Sequence, residues 1–181
     1  MAKLIMWNMM TLDGLIEGPN REIDWHEHGW GEELEAYSRE VGRAAGGLLF
    51  GRVTYELMAG HWPTAEGEIA AFMNALPKVV FSRSLKSADW TNTRLVRENA
   101  ADEVRKLKAA TEKDLFVFGS ADLSATLIRH GLFDEYRIGI NPIVLGGGNP
   151  LFKKMPDRLR LTLTESRPLR SGVVILHYRP A

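Results

Sequence analysis

Residues 3–10 are apolar at both odd and even positions, the pattern of a central strand buried on two faces. Thr11-Leu12-Asp13-Gly14 breaks the run, Leu15-Ile16 is a short apolar piece, and Gly18-Pro19-Asn20 is a loop signal. Residues 17–31 hold Trp25 and Trp30 but no period, which predicts a long functional loop. Over 31–45, Leu34, Tyr37, Val41 and Ala45 fall at helical spacing among charged residues. Gly46-Gly47 is expected to end that helix, and Leu48-Leu49-Phe50 to form a buried strand stopping at Gly51. Helices are predicted over 52–59 and 66–75, the second with Ile69, Phe72, Met73 and Leu76 on one face. Val79-Val80-Phe81 reads as a strand, Thr93 to Val96 as another, 100–110 as a charged helix, and Leu115 to Phe118 as a strand ending at Gly119. Ser120 or Asp122 is expected to cap a helix reaching about His130. From 134 to 179 strands follow one another: Tyr136 to Leu145, Leu159 to Glu165 and Val173 to Tyr178.

Strands alternating with helices up to residue 131, then strands in succession, predict an α/β fold. Its sheet is expected to be mostly parallel, with antiparallel strands added at one end. The 181 residues, without linker or repeat, point to a single domain spanning 1–181.

Composition narrows the partners. Lys plus Arg equals Asp plus Glu at 23 each, so no global field draws nucleic acid or an anionic membrane. Phosphate recognition must then be local. There is no cysteine, which removes thiolate nucleophiles, disulfides and Cys-based metal sites, and fits a cytoplasmic setting. The N-terminus reads as a first strand and not as a signal peptide, and no apolar run is long enough to span a bilayer.

Three strand ends carry candidate chemistry: Phe50-Gly51-Arg52-Val53-Thr54, Phe81-Ser82-Arg83-Ser84 and Phe118-Gly119-Ser120-Ala121. In an open parallel sheet, ligands lie beyond the C-terminal strand ends. Helix N-terminal amides favour phosphate there, glycine allows close approach, and arginine offers a planar fork. Alone, Gly51-Arg52 is as readily a plain strand-to-helix turn, Ser82-Arg83 is more often a solvated loop, and Gly119-Ser120 is more often a helix cap. Side by side, the three would cradle a dinucleotide.

These segments also carry a family resemblance. Gly51-Arg52-Val53-Thr54-Tyr55-Glu56 resembles the Gly-Arg-x-Thr-x-Glu segment of dihydrofolate reductases. Thr11-Leu12-Asp13-Gly14-Leu15-Ile16 resembles a segment of the riboflavin-pathway pyrimidine reductases. His130 to Glu135 and Asn141 to Gly148 are similar to the C-terminal reductase domain of the bifunctional riboflavin deaminase–reductase. The resemblance covers nearly the whole chain in order.

It implies a dihydrofolate-reductase-like three-layer α/β/α fold and NADPH as hydride donor. Arg52 and Thr54, at the turn after Gly51, would hold cofactor phosphates, and Ser82 and Arg83 the adenosine 2′-phosphate. Gly119, Ser120, Ala121 and Asp122 would line the pyrophosphate. Met9 and Ile16 would flank the nicotinamide, and Asp13 would shape the loop over it. Ser120 departs from the Gly-Gly of dihydrofolate reductases. No deaminase half is expected in this chain, because its zinc signature needs cysteines and there are none.

On the substrate side, the resemblance implies one acid on the first helix, and ungapped counting places Glu35 there; Glu32 and Glu33 lie within a turn of it. The plain alternative is three solvated first-turn carboxylates. Trp25, Trp30, Tyr55 and Trp62 would stack a flat heteroaromatic substrate, or simply pack helix on sheet. His26-Glu27-His28 has the spacing of one strand face but no third ligand, so no metal is expected. Arg39, Arg43 and Lys153 are candidate partners for a substrate phosphate. A homodimer built on the C-terminal strands and Leu145 to Phe152 is expected. The leading function is an NADPH-dependent reductase of a pterin-like or ribosylamino-pyrimidine-like compound. The alternative is a non-catalytic NADP(H)-binding or sensing domain.

Overall fold

The computed structural model describes residues 1–181. In chain order the elements are β1 (Leu4–Thr11), β2 (Leu15–Glu17), α1 (Glu32–Ala44), β3 (Ala45–Gly51), α2 (Arg52–His61), α3 (Glu68–Ala75), β4 (Lys78–Phe81), β5 (Thr93–Val96), α4 (Ala100–Ala110), β6 (Asp114–Phe118), α5 (Ala121–Arg129), β7 (Glu135–Asn141), β8 (Asn149–Pro150), β9 (Leu161–Pro168) and β10 (Val174–Pro180). Eight strands form one sheet in the order β5-β4-β3-β6-β1-β7-β10-β9. All pairs from β5 to β7 are parallel, and β10 and β9 add antiparallel at the β7 edge.

The apolar-both-faces pattern of β1 has its cause in two cores. Leu4 and Met6 point into one, with Val104 of α4 and Leu123 and Leu127 of α5. Ile5 points into the other, with Leu34, Tyr37 and Val41 of α1, Tyr55 of α2 and Met73 of α3. Helices therefore cover both faces, in three layers. No helix is long and apolar enough to cross a membrane.

Several boundaries differ from the sequence expectation. Gly46-Gly47 does not stop α1; it lies inside β3, where the register against β6 shifts between Ala45 and Gly47. A Cβ at Gly46 would stand 2.8 Å from the Cβ of Lys113, so glycine marks a close approach to the segment leading into β6. β7 ends at Asn141, before Pro142, and not at Leu145. The 17–31 loop contains a 3-10 turn, Asp24–Gly29. β2 pairs with the two-residue β8, an element too short for any sequence period.

Lys78 opens β4 almost fully buried. Its ammonium donates to the carbonyls of Met73, Asn74 and Leu76 at 2.8, 3.1 and 2.8 Å, closing the C-terminus of α3. It also lies 4.5 Å from the ring centre of Trp90. Burial pulls its pKa down to about 8.

Candidate active site

Because β4, β3, β6 and β1 are parallel neighbours, their C-terminal ends emerge together. Side chains stitch those ends to one another. The Gly51 N–H donates to Ser120 Oγ at 2.8 Å, and that hydroxyl donates to the Phe118 carbonyl at 2.8 Å. The Ser120 N–H donates to Thr54 Oγ1 at 2.9 Å, and the Gly119 N–H to Asn8 Oδ1 at 2.6 Å. Ser120 thus stands at the start of α5 without capping it; its hydroxyl ties β3 to β6 instead. Gly119 and Ser120 are consecutive left-handed residues, φ +54° and +59°. A Cβ at Gly119 would also fall 2.6 Å from Thr54 Oγ1, so glycine is required there twice over. The junction's own N–H groups are spent on these bonds. The first-turn amides of α2 and α5 have no intrahelical partner, and they border the same depression.

That depression is the middle of three adjoining hollows that share wall residues and together form a trough. At one end Ser82, Arg83, Arg97, Arg105 and His130 surround a hollow of about 470 Å³, with Glu98 and Asp102 also on its wall. Arg97 is occupied by the carbonyls of Arg83, Leu85 and Lys86, and Arg105 by Asp102 at 2.6 Å. The Arg83 guanidinium has no protein partner. Phe81 and Thr126 lead from there into the middle section, about 430 Å³, bordered by Gly51, Arg52, Thr54, Ala121, Asp122 and Lys153. Arg52 pairs with Glu56 at 2.8 Å and Lys153 with Asp122 at 3.7 Å. Ile16, Glu17, Val53 and Thr54 then lead into a third cavity of about 280 Å³ between β1, α1, α2 and α3. Its wall is mainly apolar: Trp7, Met9, Trp30, Leu57, Trp62 and Phe72 among others.

Titratable groups in this third wall are few. Glu17 is its one carboxylate, with Oε1 accepting from Asn149 Nδ2 at 2.8 Å. His26 is its one imidazole; burial pulls its pKa down to about 4, so it is neutral near pH 7. From α1 the polar contributor is Ser38, whose hydroxyl donates to the Leu34 carbonyl at 2.9 Å.

The RibD C-terminal domain family matches residues 2–175. The chain belongs to this family. Among curated proteins it is 34% identical to the uncharacterized protein YyaP of Bacillus subtilis (strain 168), over 97% of this chain and 94% of that one. Among solved structures, a Shewanella sp. PV-4 protein named for riboflavin biosynthesis superposes with a TM-score of 0.80 at 20% identity, covering 100% of this chain and 99% of that one. Dihydrofolate reductase from Enterococcus faecalis, complexed with NADP(H) and RAB-propyl, superposes with a TM-score of 0.65 at 12% identity, covering 99% and 96%. These likenesses show a dihydrofolate-reductase-like fold, and the family supports a reductase-like role.

Within this RibD C-terminal fold, the residues singled out from sequence divide into two groups. Met9, Ile16, Gly51, Arg52, Thr54, Ser82, Arg83, Gly119, Ser120, Ala121 and Asp122 all border the trough. Trp30 and Trp62 line the apolar cavity. Tyr55 does not: it is buried, its hydroxyl accepts from the Trp90 N–H at 3.0 Å, and it packs helix on sheet. Trp25 is likewise buried against His26.

The expected first-helix acid is not in the cavity wall. Glu35 bonds Arg39 at 2.6 Å, and Arg39 also lies 3.8 Å from Glu68 of α3, which holds this carboxylate on the outer side of α1. Glu33 accepts from the Arg170 N–H at 2.7 Å, fastening the turn before β10; that N–H and the Arg170 charge hold its pKa low. Glu32 is exposed. Asp13 accepts from Thr11 Oγ1 at 2.6 Å and from the N–H groups of Gly146 and Leu145 at 2.8 and 3.3 Å. These bonds lower its pKa and pin the 142–148 loop beside β2. His26, Glu27 and His28 lie on a 3-10 turn, not a strand, with His26 in the cavity wall and His28 exposed. Sequence reasoning missed Glu17 and Ser38. Glu17 is the last residue of the three-residue β2, at a place the sequence assigns to the start of the 17–31 loop, and Ser38 carries no signal beyond its place on the helix.

Proposed function

We propose that this RibD C-terminal domain protein is an NADPH-dependent reductase that delivers a hydride to a small heteroaromatic substrate. The observation that carries it is the row of three adjoining hollows with shared wall residues, cationic at one end, rimmed by helix N-termini in the middle and apolar at the other. The donor set fits the cofactor. A guanidinium without a protein partner beside a serine hydroxyl suits a 2′-phosphate dianion, and first-turn amides with Arg52 and Lys153 suit a pyrophosphate.

NADPH, when bound, supplies a hydride that adds to the carbon of a C=N or C=O while the heteroatom takes a proton, leaving NADP⁺. The chain orients and shields. Arg83 and Ser82 hold the phosphate end, and Arg52, Thr54, Ala121 and Asp122 the central section. Met9 and Ile16 form the apolar wall beside the ring, and Trp30 and Trp62 flank the substrate and exclude water. Glu17, the one carboxylate in the wall, is assigned the proton, directly or through a water. The reading includes a homodimer through the C-terminal strands, supported by exposed Leu163 on edge strand β9; within the Leu145 to Phe152 segment, Leu151 is instead buried in the core of its own chain.

One observation favours the second reading, a non-catalytic NADP(H)-binding domain: no α1 carboxylate enters the cavity. Loss of NADPH absorbance with a panel of dihydropterins, amino-pyrimidines and uncharged ring carbonyl compounds separates the two. The reductase reading expects turnover with at least one class, reduced at least tenfold by Glu17→Gln. NADPH binding without turnover across the panel overturns it.

A further inference from the structure

We infer that the substrate of this protein carries no phosphate and no other anionic group. This rests on the reductase reading and adds its substrate class: a flat, uncharged ring compound. The ground is the charge content of the third cavity. Among the residues around it there is no arginine and no lysine. Its one acidic wall residue is Glu17, which offers no positive charge, and its imidazole, His26, is kept neutral at ordinary pH by burial.

The cations that sequence made available to this side are committed elsewhere. Arg39 lies between Glu35 and Glu68 on the outer face of α1, and Arg43 pairs with Glu68 at 2.8 Å. Arg21, Arg52 and Lys153 border the middle section of the trough, where the proposed cofactor phosphates would lie, and none of them lines this cavity. A phosphate moved from water into an apolar cavity without a cation loses its hydration and gains nothing in return. What the wall does offer is aromatic and aliphatic surface, from Trp7, Trp30, Trp62, Met58 and Phe72, with Ser38 and Asn8 as hydrogen-bonding points. That combination suits a neutral ring held by stacking and one or two hydrogen bonds.

The test uses two probes that differ only in the phosphate, 2-naphthol and 2-naphthyl phosphate, titrated into protein saturated with NADP⁺ and followed by tryptophan emission. Occupying the trough with NADP⁺ keeps the phosphate probe off the cofactor subsites. The expected result is at least tenfold tighter binding of 2-naphthol. Leu57→Lys should narrow that preference severalfold. Leu57 lines the cavity yet is half exposed, so an ammonium there stays hydrated and the fold is preserved. Equal or tighter binding of the phosphate, or no binding of either probe, overturns the proposal. The NADP⁺ titration itself reports on the cofactor reading: if it fails, that reading falls. The probe comparison on cofactor-free protein, with free phosphate added to block the anion subsites, still decides the charge preference of the cavity.

Discussion

Gly119 shows how one residue sets the geometry of the trough. Its left-handed backbone and the contact with Thr54 Oγ1 each exclude a side chain. Gly119→Ala should cost roughly 1–3 kcal/mol from backbone strain alone. It should also push Thr54 off Ser120 and weaken NADPH binding, measurable by urea unfolding and by titration of the same sample. His26 gives a pH signature. Its folded pKa, about 4, lies below the ordinary 6.5, so between those values the unfolded chain binds the extra proton. Stability is full above about pH 6.5 and falls as pH drops toward 4, by at most about 3 kcal/mol for this group. His26→Leu should flatten most of that slope in denaturation midpoints taken across the window. His177, whose pKa is lowered first by burial and then by the Arg137 charge, contributes to the slope that remains, joined at the acid end by Glu33 and Asp13, whose lowered pKa values also favour the folded chain at higher pH.

At the scale of elements, the β3, β6 and α5 termini are joined through a single hydroxyl. Ser120→Ala leaves the Gly51 N–H without its acceptor and keeps an unfavourable left-handed residue, so a loss of about 1–3 kcal/mol is expected. Ser120→Gly loses the same hydrogen bond but relieves the backbone, and should be the milder variant by thermal unfolding. An opposite order would show that the hydroxyl does not hold this junction. The central strands were legible because parallel strands between two helical layers are apolar on both faces and end at Gly or Ser. β8 was not, since two residues carry no period and exist as a strand only by contact with β2. Gly46-Gly47 misled for a physical reason: glycine there answers a close approach by Lys113, not a helix stop. The acid on α1 was the least legible feature. Which face of a helix meets a cavity depends on its rotation about its own axis. Here the Arg39 and Glu68 contacts keep Glu35 outward and leave Ser38 inside.

For the whole molecule, a chain without net charge has no global field, so the proposed anion recognition is local. Three sections of one trough meet at the C-terminal edge of the sheet, and the order of strands β4, β3, β6 and β1 is what lines them up. Arg83→Ala should weaken NADPH binding by about 1.5–3 kcal/mol, the scale of a charge-assisted hydrogen bond, and leave NADH nearly unchanged. Equal losses for both cofactors would move the 2′-phosphate away from this corner. The most direct measurement is a calorimetric titration of the wild-type protein with NADPH and, in parallel, NADH. Saturable binding of one NADPH per chain, clearly tighter than NADH, is the outcome expected from a trough that ends in a free guanidinium. No heat of binding for either nucleotide at millimolar concentration would contradict the account.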